Sequence, residues 1–208
     1  MKNELIIVAG CSGSGKTTVA KKIYDNFKSG WAQIICLDRF YLKDKNKIPK
    51  LDKNGNINFD HPLAFDWHLL IKSLKNLLNN KSTIIPIYNY KISDREKHGE
   101  LLKPTKFIIL EGIMPLYNNE ISSLAVLKVF VDTPLDECFI RRLLRDKNER
   151  GRSIQSIVDQ WLYSVRPMYI QYVEPTKTKA DLILPWHKLN EKGSKYLTEA
   201  IKHIPKRR

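Results

Sequence analysis

The sequence predicts an α/β fold, a mainly parallel sheet flanked by helices. Two observations carry this. Six short apolar runs recur along the chain: LIIVA from residue 5, QIICL from 33, STIIPIY from 82, KFIIL from 106, LKVFV from 127 and DLILP from 181. Alternation of such runs with helical patterns argues for strands joined by crossover helices. Between the runs, apolar residues fall three and four apart, the spacing of a helix with one buried face. At 208 residues the chain suits one domain, 1–208, and is long enough to bury a core.

The elements read in order. LIIVA is a strand that stops at Gly10, and GCSGSGKTT follows at once over residues 10–18. Behind it Val19, Ala20, Ile23 and Phe27 mark a helix. QIICL is the second strand. After it comes a long polar stretch, 43–62, with Asn54-Gly55 as a turn signal; a loop of that length in a small domain is usually functional. Trp67, Leu70, Ile71, Leu74, Leu77 and Leu78 then give a second helix. Four more strand runs follow, and a basic tail, 202–208, reads as a solvated terminus.

Composition narrows the partners. Formal charge is +14, which favours polyanions: nucleic acid, acidic membrane or small phosphorylated ligands. Three cysteines, Cys11, Cys36 and Cys138, are an odd number without close spacing, so neither a disulfide framework nor a zinc site is implied. The first apolar run is far shorter than a signal-peptide core or a membrane span, and a soluble, cytoplasmic protein is expected, with no membrane partner.

Residues 10–18 carry the first chemistry. Gly10-x-x-x-x-Gly15-Lys16-Thr17 has the spacing of a P-loop. Glycines let the amides of Ser12, Gly13, Ser14 and Gly15 converge on phosphate oxygens, and the helix opening near Lys16 adds its positive end. Lys16 reaches the outer phosphates, the Thr17 hydroxyl can ligate magnesium, and Thr18 follows in the same turn. The expected architecture is therefore a P-loop NTPase fold with a small inserted β-hairpin or loop region and a helical lid. Two fragments, Asp52-x-x-Gly55 and Thr178-Lys179-x-Asp181, stand in the order of a GTP switch. Their settings are wrong, since Asp52 follows the polar KNKIPKL and Thr178 precedes its strand, and both read as coincidence.

In parallel α/β sheets ligands gather outside the carboxyl ends of strands. Asp38 ends QIICLD and Glu111 ends KFIILE. Such a carboxylate can take a proton from an attacking hydroxyl or hold magnesium; Asp38 is expected as the base and Glu111 near the metal. Arg141, Arg142, Arg145, Arg150 and Arg152 crowd one segment. Arg142 with Asp146 and Arg145 with Glu149 fit pairs along a helix face. The rest, with Gly151 as a flexible point, suit a lid over 141–160 that closes on phosphates. Asp60 could cap a helix start ahead of Pro62, or accept hydrogen bonds from vicinal hydroxyls.

From residue 5 to about 185 the chain resembles the uridine kinases (uridine–cytidine kinases). The resemblance lies in VDTPLDECFIRRLLRDKNERG from residue 131, then Arg152, Gln160 and VRPMYIQYVEPTKTKAD from 165, with Asp38-x-Phe40-Tyr41, NFDHP from 58, PIY from 86 and LEG from 110 in family order. It implies ATP or GTP as phosphate donor at the P-loop, Mg2+, and a nucleoside whose 5′-hydroxyl points at Asp38. It implies that Tyr41 adjoins the nucleoside, that Asp60 and Arg142 hold the ribose hydroxyls, and that Tyr88 and Tyr90 line the base. Arg152 and Gln160 match further nucleoside contacts, and Arg145 and Arg150 match arginines that close over the phosphates. Residues about 43–104 would form the nucleoside-binding insertion, and family members assemble as homo-oligomers. Uridine or cytidine is the expected acceptor.

Two departures stand out. Ser93 occupies the position of a base-reading histidine, with His98 nearby, and Pro185-Trp186-His187 replaces Pro-Arg-Gly beside the donor base. Trp186 could stack on that base or pack against the C-terminal helix. Other readings stay open: a kinase of a purine nucleoside, nicotinamide riboside, pantothenate or ribulose phosphate, or a basic nucleic-acid-binding P-loop protein. NFDHP and DKNERGR favour the uridine kinase branch, and no RNA or DNA signature is evident, so no nucleic-acid partner is expected.

Overall fold

The computed structural model describes residues 3–51, 56–90, 92–187 and 189–202. Nine strands are present among them: β1 (Glu4–Gly10), β2 (Ala32–Cys36), β3 (Thr83–Ile85), β4 (Tyr88–Asn89), β5 (Asp94–Arg95), β6 (Glu100–Leu102), β7 (Phe107–Gly112), β8 (Ala125–Asp132) and β9 (Leu182–Pro185). The helices are α1 (Lys16–Asp25), α2 (Trp67–Leu78), α3 (Asn119–Leu124), α4 (Leu135–Arg150), α5 (Ile154–Gln160), the short α6 (Arg166–Met168) and α7 (Glu191–Lys202).

Five strands form one parallel sheet in the order β2-β7-β1-β8-β9. β1 is central and buried at every position, which is why its residues 5–9 are an unbroken apolar run. Alternation along it divides the core. Leu5, Ile7 and Ala9 face the cluster containing Leu70, Leu74 and Leu77 of α2, whereas Ile6 and Val8 face Val19, Ala20 and Ile23 of α1 with Leu197 and Ile201 of α7. α1 and α7 are also tied by a Lys22–Glu191 ion pair at 2.6 Å. Phe27, beyond the end of α1, stacks on Phe107 with ring centroids 4.4 Å apart. α2 starts where expected, because the Asp66 carboxylate accepts from the Leu69 amide at 3.0 Å.

STIIPIY does not enter the parallel sheet. Its residues form β3 and begin β4, which pair antiparallel with β6 and β5 as a two-tier hairpin. Pro86 has no amide to give and falls between the tiers. Ile85 is buried while Ile84 is exposed, so one side of the hairpin feeds the core. The three cysteines are free thiols. Among the described residues no helix is long and apolar enough to cross a membrane. The Asn54-Gly55 turn, the Asp52-x-x-Gly55 fragment and the tail beyond residue 202 lie outside the described residues.

Candidate active site

The loop between β1 and α1 is pressed between two neighbours, and this explains its glycines. Gly13 has φ 84°, and a Cβ there would stand 2.2 Å from the Cys138 carbonyl oxygen of α4. Gly15 has φ 94°, and a Cβ there would stand 2.3 Å from the Trp186 indole. Both conformations favour glycine and neither site has room for more. The loop is further held by the Ser14 amide donating to Cys11 O (3.0 Å) and the Thr133 hydroxyl donating to Ser14 O (2.9 Å). α1 then begins at Lys16, with its positive end at the loop.

The strand-end acids meet this loop. β2 and β7 are in register, with Cys36 opposite Glu111. Glu111 is 4% exposed, and its Oε2 accepts from the Thr17 hydroxyl at 3.2 Å. Asp38 leaves β2 on a 3-10 turn, Leu37–Phe40, and its Oδ2 accepts from the Tyr90 hydroxyl at 3.2 Å. Between them the Cys36 thiol is held protonated, pushed up by burial and by the charges of Asp38 and Glu111.

One cavity of about 1400 Å³ joins these groups. Ser12, Gly13, Gly15, Lys16, Thr17 and Thr18 line it, with Asp38 and Glu111. Tyr41, Asp60, Tyr88 and Tyr90 line it too, together with Arg142, Arg145, Arg150, Arg152 and Gln160. Of the residues named from sequence, Gly10 and Ser14 stand outside the lining; Ser14 is fully buried behind the loop. Ser93 lines the cavity with φ 51°, whereas His98 is exposed and does not.

Around the tyrosines, aromatic rings make a continuous wall. Tyr41 stacks on Phe65 with centroids 4.7 Å apart and meets Tyr88 at 5.2 Å; Tyr88 meets Tyr90 edge-on, also at 5.2 Å. Flat faces of this kind suit a flat ring. Burial, helped by the Asp38 charge, pushes the Tyr88 phenol up to about 12, so it stays neutral. Asp60 is 8% exposed and accepts from the Ser164 hydroxyl at 2.7 Å. Burial raises its carboxyl above the ordinary value of 3.8, with Arg142 and the Ser164 bond working the other way. Asp60 is not a helix cap: the turn Pro62–Ala64 is capped by His61, whose Nδ1 accepts from the Leu63 amide at 3.0 Å.

The arginines are organised by a residue that sequence spacing read only as a helix-face partner. Asp146 is fully buried. Its Oδ1 meets Arg145 at 2.8 Å and Arg150 at 3.4 Å, and its Oδ2 faces Arg152 and Arg142 at 3.6 and 3.7 Å. Arg152 reaches back because Gly151, at φ 64°, ends α4 in a left-handed turn and lets the Arg152 amide donate to Asp146 O. Arg145 thus pairs with Asp146, not with Glu149 as the four-residue spacing suggests. Arg142 donates to the Ser12 hydroxyl (2.6 Å) and to Gln160 Oε1 (2.8 Å), which also accepts from Arg152.

Burial works to raise the Asp146 carboxyl, but the fields of Arg142, Arg145 and Arg150 override it and hold the group below 3.8. Its stabilisation is therefore present above the unfolded carboxylate value and lost as the pH falls through the lower folded one. Asp146→Asn is expected to cost about 3–5 kcal/mol, the price of leaving guanidiniums buried without their counter-charge. The guanidinium chloride midpoint measures it, and the difference from wild type should shrink as the pH is lowered below 3.8.

One further feature left no mark in the sequence. α5 runs into two π-helical turns, Trp161–Val165 and Tyr169–Val173, that flank α6, and the first of them carries Ser164 to Asp60. Trp186 is fully buried against Gly15, in the cluster with Leu197 and Ile201 of α7, which is the packing role rather than the stacking one. Arg141 bridges these parts through Ser14 O (3.5 Å) and Trp186 O (3.3 Å).

Thr17 and Glu111 offer two hard oxygen donors on one wall, and no cluster of three or more histidine, cysteine or acidic residues occurs among the described residues. That set fits Mg2+, which takes one or two protein oxygens and completes its shell with water and substrate phosphates.

The chain is similar to known proteins over most of its length. The model of the phosphoribulokinase/uridine kinase family matches residues 5–191. The chain is 45% identical to the uridine kinase of Bacillus subtilis over 185 residues, 88% of this chain and 87% of that one. It is 44% identical to the uridine kinase of Mycoplasma genitalium over 204 residues, 98% of this chain and 94% of that one. The solved phosphoribulokinase of Rhodobacter spheroides shares the fold with a TM-score of 0.62 at 16% identity, covering 91% of this chain and 73% of its own.

Proposed function

This chain belongs to the phosphoribulokinase/uridine kinase family, and from that premise we propose that it is a nucleoside kinase that transfers the terminal phosphoryl group of ATP or GTP to the 5′-hydroxyl of uridine or cytidine. One observation supports this assignment above others. The glycine loop with Lys16, the acids Asp38 and Glu111, and the tyrosine wall with Asp60 line a single cavity, so donor and acceptor can meet without leaving it.

In this reading the donor triphosphate lies along the loop amides and Lys16. Thr17 and Glu111 hold Mg2+, which would neutralise charge on the donor phosphates. Asp38 takes the proton from the 5′-hydroxyl, and Tyr41, Tyr88 and Tyr90 border the base. Residues 43–104 form the acceptor side. The segment 141–160 acts as the lid, with Arg145 and Arg150 exchanging Asp146 for phosphate oxygens as it closes. Phosphoryl transfer needs little covalent help from the protein, and positioning with positive charge supplies most of the catalysis.

Asp60 sets the preference for ribose. An ionised, buried carboxylate accepts a hydrogen bond from each vicinal hydroxyl, and removing one leaves an acceptor unpaired. Measured by ADP release across uridine, cytidine, adenosine, guanosine, nicotinamide riboside and 2′-deoxyuridine, kcat/KM is expected to be highest for uridine or cytidine. It should be lower for 2′-deoxyuridine by roughly 10–100-fold, as loss of a hydrogen bond to a charged group implies. The KM for uridine should also rise as the pH falls through the raised Asp60 value, since the protonated acid accepts less well. A preference for the deoxynucleoside would remove Asp60 from this role, and a preference for nicotinamide riboside would move the assignment to another acceptor.

A further inference from the structure

Tyr90 is held from three sides. Its hydroxyl donates to Asp38 Oδ2 at 3.2 Å, the Arg150 guanidinium carbon lies 4.5 Å from its ring centroid, and Tyr88 meets it edge-on at 5.2 Å. Arg150 in turn pairs with Asp146 at 3.4 Å. A side chain of the acceptor side is thereby bonded to the proposed base and clasped by the end of α4. Tyr90 is 44% exposed, so these contacts, not surrounding core, fix its place. Burial and the Asp38 charge push the phenol well above its ordinary value, and it remains a donor at neutral pH.

An enzyme that activates a hydroxyl beside a bound triphosphate must also deal with water. Were a water to occupy the acceptor's place, its oxygen would attack the terminal phosphorus and the bond to the bridging oxygen would break. The nucleoside diphosphate would leave with that electron pair, and the water proton would pass to Asp38 and then to solvent. Whichever hydroxyl reacts must find an accepting lone pair on Asp38, and Tyr90 already engages one of them at Oδ2.

We infer that Tyr90 is a positioning residue that guards Asp38: its hydroxyl occupies Oδ2 while the acceptor is absent and yields when a nucleoside arrives, so that base activation follows acceptor binding. The Arg150 contact ties this exchange to the lid, because displacing Tyr90 removes one of the contacts that hold the guanidinium, the ion pair with Asp146 being another. The inference deepens the kinase assignment above and rests on it.

Tyr90→Phe deletes the hydroxyl and keeps the ring, hence the packing on Tyr88 and Arg150. The experiment measures ADP release from magnesium ATP without nucleoside, and the ratio of ADP to uridine monophosphate with uridine present. In Tyr90→Phe the acceptor-free rate is expected to rise about tenfold, the scale of one hydrogen bond to a charged group. The ratio should rise above one, and both effects should vanish in the Asp38→Asn/Tyr90→Phe double variant. An acceptor-free rate at or below that of wild type, or an increase that survives Asp38→Asn, overturns the inference. Uridine monophosphate formation by the wild-type chain reports separately on the kinase assignment, so the two can fail independently.

Discussion

Asp38→Asn is expected to lower kcat with uridine by about 10²–10⁴-fold, the range for loss of a positioned general base. The substitution keeps the size of the side chain and the hydrogen bond to Tyr90, whose hydroxyl can donate to an amide oxygen. It removes the charge that would accept the acceptor's proton. The donor KM should move little, because Asp38 stands on β2's 3-10 turn rather than on the glycine loop. Initial rates of ADP release, with uridine varied at saturating donor and the donor varied at saturating uridine, measure both quantities. Full activity would place the base elsewhere in the cavity.

Lys16→Met carries the second large effect. Lys16 opens α1 and lines the cavity, and in the proposed reading it is the cation that would reach the outer phosphates from the loop itself. Methionine has nearly the same length and can keep the packing. A preorganised charge aimed at the transferring group is commonly worth about 10²–10³ in rate, and kcat/KM for ATP should fall by about that factor. Because the Lys16 side chain lines the cavity and makes no ion pair among the described residues, the thermal midpoint should stay close to that of wild type. Equal losses of stability and rate would instead mark Lys16 as a structural residue.

What could be read from the chain, and what could not, follows from the range of the interactions involved. β1, α1 and α2 were legible because their patterns are local: an unbroken apolar run for a strand buried on both faces, and three-and-four spacing for one-sided helices. The P-loop was legible because its geometry demands glycine at fixed offsets. The structure adds why Gly13 and Gly15 are irreplaceable here, namely the Cys138 carbonyl and the Trp186 ring. STIIPIY looked like a sheet strand because a short apolar run does not say which neighbour it will pair with. The pairing of Thr83 with Leu102 is decided nineteen residues away.

Asp146 was visible only as half of a four-residue pair with Arg142. Its larger part depends on Gly151 turning the chain so that Arg152 returns to it, and on both carboxylate oxygens being shared among four guanidiniums. Ser164 was invisible for a related reason. It reaches Asp60 from a π-helical turn, 104 residues along the chain, and such turns leave no mark in a 3.6-residue pattern. Asp60 itself could be weighed as a cap or a ligand; the His61 cap in the structure removes the first possibility.

The account stands on phosphoryl transfer from a donor on the glycine loop to a ribonucleoside hydroxyl in the same cavity. Phosphorus NMR of a mixture of enzyme, magnesium ATP and uridine tests this most directly. One molecule of uridine 5′-monophosphate for each molecule of ADP, with Asp38→Asn slowing the formation of both by about 10²–10⁴-fold, is the predicted result. ADP accompanied by inorganic phosphate, with no phosphorylated nucleoside, would contradict it.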